Sequence, residues 1–445
     1  MKKRIIIIIL FISFTAPAQT ISGNLKNHAG QQISLTGFNY YKNYELANAS
    51  VDSLGNFVLN YPKEYKGMAI LKTQDKSSIV FVLVEPTIYL KGNHLTETDS
   101  LQFTNSLENN IFVKYAKEQR FRGNAVSALD FLDPLYQNQL LFAKQKKFLK
   151  KIKKEQARLQ KEDMKFFSNL PHHSYARWFI PHRKFIHEMP IIVRRKTEKI
   201  PNAINQFRNI DFNNTNFKTS GLFKEVVEGH YLLLENMGQS LDSMYVQMNL
   251  SSTYLINNLQ KDEVLLNEVS AQLFDYFEKR SLFKASEYLS VTLLNQNQLR
   301  LNDHLIGKLE GYRKLKVGAI APDIQLTTTK KLSDIQRPKL VIFGASWCLK
   351  CKTDTKEIFK LYDTWKAKNI EIVYISIDTA EQEFEAAYGN MPWKTYCDFK
   401  GWATQAAKDY YISGTPSYFL LDVNNKILVR PNTVLHANVW IERKL

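Results

Sequence analysis

Residues 340–351 read Leu340-Val341-Ile342-Phe343-Gly344-Ala345-Ser346-Trp347-Cys348-Leu349-Lys350-Cys351. An apolar run predicts a buried strand, a short turn follows, and a segment with helical periodicity begins at the Cys-x-x-Cys pair. A sulfur at a helix N-terminus lies near unpaired backbone N–H groups and the positive end of the helix dipole, which favour the thiolate. A second sulfur three residues later lies on the same face, so Cys348 and Cys351 can form a disulfide. The pattern predicts dithiol–disulfide chemistry.

Residues 315–445 have the pattern of an α/β domain built around this cysteine pair. A second apolar run at 370–377 predicts a strand that the helix after Cys348 connects in parallel to the first strand. Short apolar runs at 417–421 and 426–430 flank turn residues and predict a hairpin. Further helices are predicted at 381–388, 403–411 and 434–445.

Three motifs occur in order in this domain: Val317-Gly318-Ala319-Ile320-Ala321-Pro322-Asp323, Trp347-Cys348-x-x-Cys351-Lys352 and Gly414-Thr415-Pro416. On these residues the domain resembles the TlpA/ResA branch of exported thioredoxin-like proteins, which is related to the alkyl hydroperoxide reductase and thiol-specific antioxidant group. The resemblance implies a thioredoxin-like fold over residues 315–445, thiol–disulfide oxidoreductase activity and, through the wider group, antioxidant activity. It covers less than a third of the chain.

The resemblance also implies roles for five residues. Cys348 is the nucleophile that attacks a substrate disulfide, and Cys351 then resolves the mixed disulfide. Pro416 follows a cis peptide bond that faces the sulfurs and exposes the backbone of Thr415 for pairing with substrate. Trp347 shields the nucleophilic sulfur and shapes the docking surface. An inert structural bridge between the two cysteines is the alternative to a redox site.

Two departures from related proteins bear on proton transfer and on peroxide chemistry. Thioredoxins carry an acidic proton relay six residues before the first cysteine, where this chain has Ile342. The TlpA/ResA branch uses a glutamate three residues after the second cysteine, and Asp354 has that place, one helical turn from Cys351. We expect Asp354 to accept the Cys351 proton, with an exposed surface aspartate as the alternative. Ala345 stands where peroxiredoxins need a threonine, which argues against peroxidase activity.

The other candidate ligands and thiols carry weaker signals. The chain has three cysteines, too few for a disulfide-stapled scaffold, and we interpret Cys397 as a small buried hydrophobe, with a third redox thiol as the alternative. Zinc is disfavoured because no second cysteine pair is present. Four histidines crowd one segment but lack the spacing of a metal site, so we expect no metal; they are His172, His173, His182 and His187.

The N-terminus has the pattern of an export signal. Lys2, Lys3 and Arg4 precede an apolar run at 5–14, and residues 16–18 form a small-x-small cleavage site. We therefore expect residues 1–18 to be a cleaved signal peptide and the protein to be periplasmic, with an uncleaved membrane anchor as the alternative. A reactive dithiol in such an oxidising compartment requires re-reduction by a partner.

The region between the signal and the redox domain divides in two. Residues 19–97 contain short alternating apolar runs, which predict a small antiparallel β sandwich or barrel similar to the N-terminal domain that often precedes such thioredoxin modules. Residues 98–314 have helical periodicity, and apolar positions in 141–167 are surrounded by lysines. Such a helix presents either a solvated face over a core stripe or a surface for peripheral membrane association or an acidic partner. We expect these regions to serve partner docking or homodimerisation.

The absence of other motifs limits the cofactors and partners. Net charge is +17, yet no aromatic-plus-basic nucleic-acid module is present, so we expect no nucleic-acid partner. The chain has no G-x-G-x-x-G fingerprint and no P-loop, so we expect no cofactor besides the redox-active disulfide and a membrane dithiol as electron donor.

The sequence therefore predicts a multidomain protein with a small all-β N-terminal domain, a mostly helical region and a C-terminal α/β thioredoxin-like fold. Its predicted function is that of an exported, periplasmic thiol–disulfide oxidoreductase that reduces disulfide-containing client proteins. The alternatives are a net disulfide oxidase or isomerase, and a binding module with a vestigial or regulatory redox site.

Overall fold

A computed structural model describes residues 18–142, 144–296, 298–412 and 414–445. The predicted signal peptide lies outside these residues except for Ala18, which begins the first strand. The chain forms two compact units: the first extends to Phe207 and includes Asn214–Leu233, and the second comprises Arg208–Asn213 and Leu234–Leu445. In the described part of the chain, no helix combines the length and the apolar composition that a membrane span requires.

The N-terminal β region, as described, contains eight strands in two four-stranded sheets. The strands are β1 (Ala18–Leu25), β2 (Gln32–Asn39), β3 (Lys42–Ser50), β4 (Asn56–Pro62), β5 (Gly67–Thr73), β6 (Ser78–Leu83), β7 (Thr87–Gly92) and β8 (Gln102–Thr104). Strand β4 alternates between exposed and buried residues, with Phe57, Leu59 and Tyr61 buried. Such alternation places one face of a strand in a core. One apolar core contains residues of both sheets, which therefore form a sandwich.

The strand pairing corrects two predictions. The sheets have the orders β4-β1-β7-β8 and β3-β2-β5-β6, and β1 and β7 run parallel while the other pairs are antiparallel. The parallel pair is feasible because the connection between β1 and β7 is long and passes through the second sheet. The β region continues past residue 97, its predicted end, to Thr104, because β8 pairs with the free edge of β7.

Five helices follow the sandwich: α1 (Leu107–Asn138), α2 (Lys146–Ser168), α3 (Tyr175–Arg195), α4 (Ile200–Arg208) and α5 (Phe223–Glu235). Buried Glu108 in α1 accepts hydrogen bonds from Ser174 Oγ and the next two backbone N–H groups, each at 3.0 Å. A carboxylate there satisfies donors that the start of α3 leaves unpaired. The Asn109 side chain bonds to the backbone N–H and carbonyl of Val82 at 2.9 and 2.8 Å. These contacts fix α1 and α3 to the sandwich.

The second unit contains four helices and the C-terminal α/β domain. The helices are α6 (Leu241–Leu259), α7 (Glu263–Lys279), α8 (Phe283–Asn295) and α9 (Asp303–Arg313). The α/β domain contains β9 (Lys339–Gly344), α10 (Leu349–Ala367), β10 (Glu371–Ser376), α11 (Glu381–Tyr388), β11 (Lys394–Cys397), α12 (Gln405–Asp409), β12 (Ser417–Leu421), β13 (Ile427–Val429) and α13 (Val434–Lys444). The sequence of elements confirms the predicted fold class.

The C-terminal sheet has the order β11-β10-β9-β12-β13. Strands β9, β10 and β11 are parallel, and β12 and β13 are antiparallel to their neighbours. Strand β9 is buried along its whole length, with Val341 and Phe343 in one apolar core and Leu340 and Ile342 in another. Burial on both faces explains the continuous apolar run in the sequence. Strand β11 is a third parallel strand that the sequence analysis missed.

Buried Arg430 joins the helices of the second unit to the C-terminal sheet. It follows β13 and forms an ion pair of 3.3 Å with Glu278 of α7, and both side chains are less than a tenth exposed. The guanidinium also lies 3.9 Å from the ring centroid of Phe283 and 4.7 Å from that of Tyr312. Helices before residue 315 therefore pack on the domain after it, and both belong to the same compact unit.

Candidate redox site

Cys348 is the residue that immediately precedes α10, as the sequence predicts. Its Sγ accepts a hydrogen bond of 3.1 Å from the backbone N–H of Cys351, in the manner of an N-cap side chain. The two cysteines form a disulfide with their Cα atoms 5.2 Å apart. Cys348 is 8% exposed and Cys351 is 2% exposed. The leading sulfur is thus the more accessible of the two, and a backbone donor points at it.

The turn before Cys348 is held by Asp378, a residue that the sequence analysis missed. The Ser346 backbone N–H lies 3.0 Å from each carboxylate oxygen of Asp378, and the Ser346 hydroxyl donates to Oδ1 at 2.7 Å. The Ser376 hydroxyl donates to Oδ2 at 2.6 Å. Asp378 follows β10 and Ser346 follows β9, and the carboxyl ends of parallel strands meet at one edge of a sheet. The fully buried Asp378 carboxylate thereby fixes the turn at the start of α10.

The segment before β12 places a backbone carbonyl beside the disulfide. The Thr415–Pro416 peptide bond is cis. The Thr415 carbonyl oxygen lies 3.4 Å from Cys348 Sγ. The Ser417 hydroxyl donates to the Gly414 carbonyl at 2.8 Å and ties the turn to the first residue of the strand. The structure thus brings the predicted Thr415 and Pro416 together with the predicted cysteines.

Asp354 lies one turn after Cys351 and is 2% exposed. The Tyr418 hydroxyl donates to its Oδ2 at 2.5 Å, and Lys350 Nζ forms an ion pair with its Oδ1. Burial, and then the bond to the carboxylate, raises the pKa of Tyr418 well above its usual range, so the phenol keeps its proton and is the donor. The alternative prediction that Asp354 is an exposed surface residue is therefore wrong. Lys350 is 57% exposed, so solvent weakens its electrostatic contribution.

The surface around Cys348 is aromatic and apolar. Trp347 is 55% exposed, and its ring centroid lies 6.2 Å from that of Trp402, which is 48% exposed. Leu349, on the other side of the cysteine in sequence, is 80% exposed. Trp402 was missed because it lies in a loop whose position relative to Cys348 depends on the tertiary fold. Two exposed indoles beside a disulfide provide contact area for an apolar or aromatic partner.

A family model described as thioredoxin-like matches residues 336–427. This part of the C-terminal domain is thioredoxin-like. The matched segment contains the cysteines, Asp354, the cis peptide bond and strand β12 that follows it. The resemblance inferred from three short motifs is therefore confirmed for this domain.

Similar proteins extend the comparison. Nucleoredoxin of Homo sapiens is 30% identical over 98 residues, which are 21% of this chain and 22% of that protein. Thiol-disulfide oxidoreductase ResA of Oceanobacillus iheyensis is 36% identical over 75 residues, which are 15% of this chain and 39% of that protein. A solved thiol-disulfide oxidoreductase from Bacteroides fragilis is 29% identical, with 28% of this chain and 99% of that chain covered and a TM-score of 0.26. The chain spans well under half the length of these two curated relatives.

Three other residues of the thioredoxin-like domain were considered from the sequence. Ile342 and Ala345 are buried and carry no acid or hydroxyl. Cys397 ends β11 and is partly buried, packed against an apolar core of the domain. Its Sγ accepts a hydrogen bond of 3.4 Å from the Phe399 backbone N–H, and burial raises the pKa of its thiol. Its raised pKa favours the unreactive thiol form.

One cluster of potential metal ligands lies outside the thioredoxin-like domain and was missed. Among the described residues, His28, Asp75 and His94 are the one group of three whose ligand-type atoms all lie within 4.8 Å of one another. Buried His28 accepts the Leu95 backbone N–H at Nε2, so the neutral ring carries its proton on Nδ1, 3.4 Å from Asp75 Oδ2. In this arrangement the His28 ring therefore offers no free lone pair to a metal ion. The four histidines of residues 171–190 form no such group in the described chain.

Proposed function

We propose that this protein is an exported thiol–disulfide oxidoreductase that reduces disulfides in client proteins. The observation that carries the proposal is the Cys348–Cys351 disulfide at the start of α10, beside the Thr415 carbonyl. A helix start favours the thiolate at the leading position, and the thiolate is the nucleophile of disulfide exchange. The thioredoxin-like family model and the printed names of the similar proteins support the same chemistry.

The reaction cycle balances with two cysteines. In the reduced protein, the Cys348 thiolate attacks one sulfur of the client disulfide, and the other client sulfur leaves as a thiolate that takes a proton. The Cys351 thiolate then attacks Cys348 Sγ, which forms the intramolecular disulfide and releases the second client thiol. Each turn oxidises two protein thiols and reduces one client disulfide. The electrons reside in the cysteine pair, and the proposal requires neither a metal nor a nucleotide cofactor.

Asp354 would accept the proton of Cys351 before the second attack. It is buried, lies on the same helix one turn later, and is oriented by the Tyr418 hydroxyl. Fixing a proton acceptor near a thiol raises the thiolate fraction at the moment of attack. Lys350, which lies between the two cysteines in the sequence, also forms an ion pair with Asp354.

The client would dock on the exposed side of Cys348. Trp347 and Trp402 offer aromatic contact area, and the Thr415 backbone next to Pro416 offers hydrogen-bonding groups for an extended segment. The sulfur between them then lies close to the client disulfide. This arrangement suits extended clients that carry apolar side chains beside the cystine.

The oxidised protein must be reduced again by a dithiol partner. We propose a membrane dithiol donor and a periplasmic location, on the basis of the N-terminal export pattern in residues 1–18. A net oxidase or isomerase would use the same site, because direction depends on the reduction potential relative to the partners. Homodimerisation through the upstream regions belongs to the same proposal.

The proposal is tested by dithiothreitol-driven insulin reduction with cysteine variants. Cys348→Ser and Cys351→Ser should both abolish catalysed reduction, whereas Cys397→Ser should retain it. Only Cys351→Ser should accumulate a mixed disulfide with the client, because it attacks but cannot resolve. Retained activity in Cys348→Ser, or trapping by Cys348→Ser instead of Cys351→Ser, would contradict the proposal.

A further inference from the structure

The hairpin formed by α1 and α2 ends in a strongly cationic surface. We call residues 131–142 and 144–154 the hairpin tip. The tip has one acidic residue, Asp133, and its carboxylate accepts a hydrogen bond of 2.5 Å from Gln137. Its seven lysines are all exposed, and none has an ion pair with another described residue. They are Lys144, Lys146, Lys147, Lys150, Lys151, Lys153 and Lys154.

Two leucines project from the same surface. Leu140 is 92% exposed and Leu141 is 84% exposed, the highest values among the large apolar residues of the described chain. The turn that carries them is packed. The Tyr136 ring lies 4.8 Å from Phe142 and 4.9 Å from Phe148 between centroids. These ring contacts connect α1, the turn that carries the leucines, and α2.

The apolar stripe of α2 does not account for these exposed leucines. Ile152 and Leu159 of that stripe are buried, and α2 packs along α1. These two stripe residues are thus packed within the hairpin, whereas Phe148 at the tip stays 45% exposed. Leu140 and Leu141 lie outside the stripe and bury little of their surface within the described chain. An exposed aliphatic pair amid lysines is costly in water unless another surface covers it.

The positive charge and the two exposed leucines of the hairpin tip indicate which kind of partner can bind there. A second copy of this chain would bring two sets of seven lysines together, which like-charge repulsion opposes. A nucleic acid would pair with lysines but would leave the two leucines in water. An anionic lipid surface satisfies both features, because headgroups neutralise the lysines and the acyl boundary takes up the leucines.

We propose that the hairpin tip docks this protein peripherally on an anionic phospholipid bilayer. Leu140 and Leu141 enter the boundary between headgroups and acyl chains, and the lysines of α2 lie against the headgroup phosphates. This contact is independent of the redox site and of residues 1–18. It also brings the protein to the surface where the proposed dithiol donor would reside.

Vesicle co-sedimentation of the full chain tests the proposal. Vesicles of phosphatidylcholine with about a third of phosphatidylglycerol should bind the protein, and added salt should weaken binding because it screens the lysines. Leu140→Gln with Leu141→Gln, and separately Lys150→Gln with Lys153→Gln, should each lower partitioning by about tenfold or more. Because every variant carries the same N-terminus, any contribution of residues 1–18 cancels in the comparison.

Matched controls come from exposed positions elsewhere in the chain. Leu241→Gln with Val264→Gln removes two exposed apolar side chains, and Lys356→Gln with Lys360→Gln removes two exposed lysines, and neither pair should change partitioning. Equal partitioning of the tip variants and these controls would overturn the proposal. So would a shift in oligomeric state or nucleic-acid binding by the tip variants without any change in vesicle binding. Insulin reduction by the tip variants should stay at the wild-type rate.

Discussion

The Tyr418 hydroxyl donates a hydrogen bond of 2.5 Å to Asp354 Oδ2, and both side chains are buried. Tyr418 lies on β12 two residues after Pro416, and Asp354 lies on α10 three residues after Cys351. The bond therefore connects the strand that follows the cis peptide bond with the helix that carries both cysteines. It fixes which way the only buried carboxylate of α10 points.

Asp354→Asn removes the proposed proton acceptor while keeping the shape of the side chain. We expect insulin reduction to slow by about a hundredfold, because a positioned general base contributes on that scale. The mixed disulfide should accumulate, since resolution by Cys351 is the affected step. Quenched-flow gels of the mixed disulfide measure this directly. Tyr418→Phe should give the same defect at smaller size, because it removes the orientation but leaves the carboxylate.

Asp363→Asn is the matched control, because Asp363 lies on the same helix and is exposed. It should leave both the rate and the mixed-disulfide level unchanged. An Asp354→Asn protein that resolves the mixed disulfide at the wild-type rate would remove Asp354 from the mechanism.

Asp378→Asn tests the anchoring of the turn before Cys348. The substitution replaces one acceptor oxygen by a donor, so the Ser346 backbone N–H or hydroxyl loses its partner. We expect alkylation of Cys348 in the reduced protein to slow by about tenfold, because the sulfur is less well aligned with the helix start. Asp398→Asn changes an exposed aspartate in the same domain and should have no such effect. A loss of thermal stability with an unchanged alkylation rate would show that Asp378 serves folding alone.

Arg430→Met tests the link between the helices and the sheet of the second unit. It leaves Glu278 buried without its counter-charge, which should lower the free energy of unfolding by about 3–5 kcal/mol. Adding Glu278→Gln should recover part of that loss, since it removes the unpaired charge. Urea unfolding followed by tryptophan fluorescence gives both values.

The control for Arg430 is Arg313→Gln, which breaks an exposed pair with Glu310 at 2.8 Å. Exposed pairs contribute at most about 1 kcal/mol, so this variant should unfold close to the wild type. Equal effects of the two arginine variants would mean that the buried pair does not hold the unit together.

Acidification should destabilise the first unit through buried His28 and partly buried His182. Burial lowers the pKa of His28 and His182 below 6.5, with His94 contributing at His28. The unfolded chain then binds more protons than the folded chain as the pH falls through about 6.5, so stability is fully present above this pH and declines below it. Melting temperatures of the His28→Gln and His182→Gln double variant should depend less on pH in this window. His172→Gln, at an exposed position, should keep the wild-type slope, and an unchanged slope in the double variant would contradict the argument.

The sequence predicted elements well wherever a pattern was long or chemically marked. The run before Cys348 is buried on both faces and so is continuously apolar, and it was placed correctly as β9. Strand β3 was missed because it is largely exposed and lacks apolar alternation, and β11 because it has four residues and none fully buried. The parallel pairing of β1 with β7 joins strands far apart in the chain, and no local pattern indicates it.

The same distinction holds for the residues of the site. Cys348, Cys351 and Pro416 carry motif signals and were placed together from the sequence, and Asp354 followed from helical spacing. Asp378 and Trp402 lacked such signals, because their relation to Cys348 arises from strand order and loop packing. The sequence signal for Tyr418 was weak. It lies two residues after Pro416, and residues two apart in an extended segment lie on the same face.

The most direct test of the account is the alkylation rate of Cys348 by iodoacetamide in Cys351→Ser, with Cys397 of the same molecule as internal reference. The helix start should keep Cys348 as thiolate at neutral pH, whereas burial holds Cys397 as thiol. We predict that Cys348 reacts at least about tenfold faster than Cys397 at pH 7 and stays reactive below it. A Cys348 that reacts no faster than Cys397, or only above about pH 8.5, would contradict the central claim.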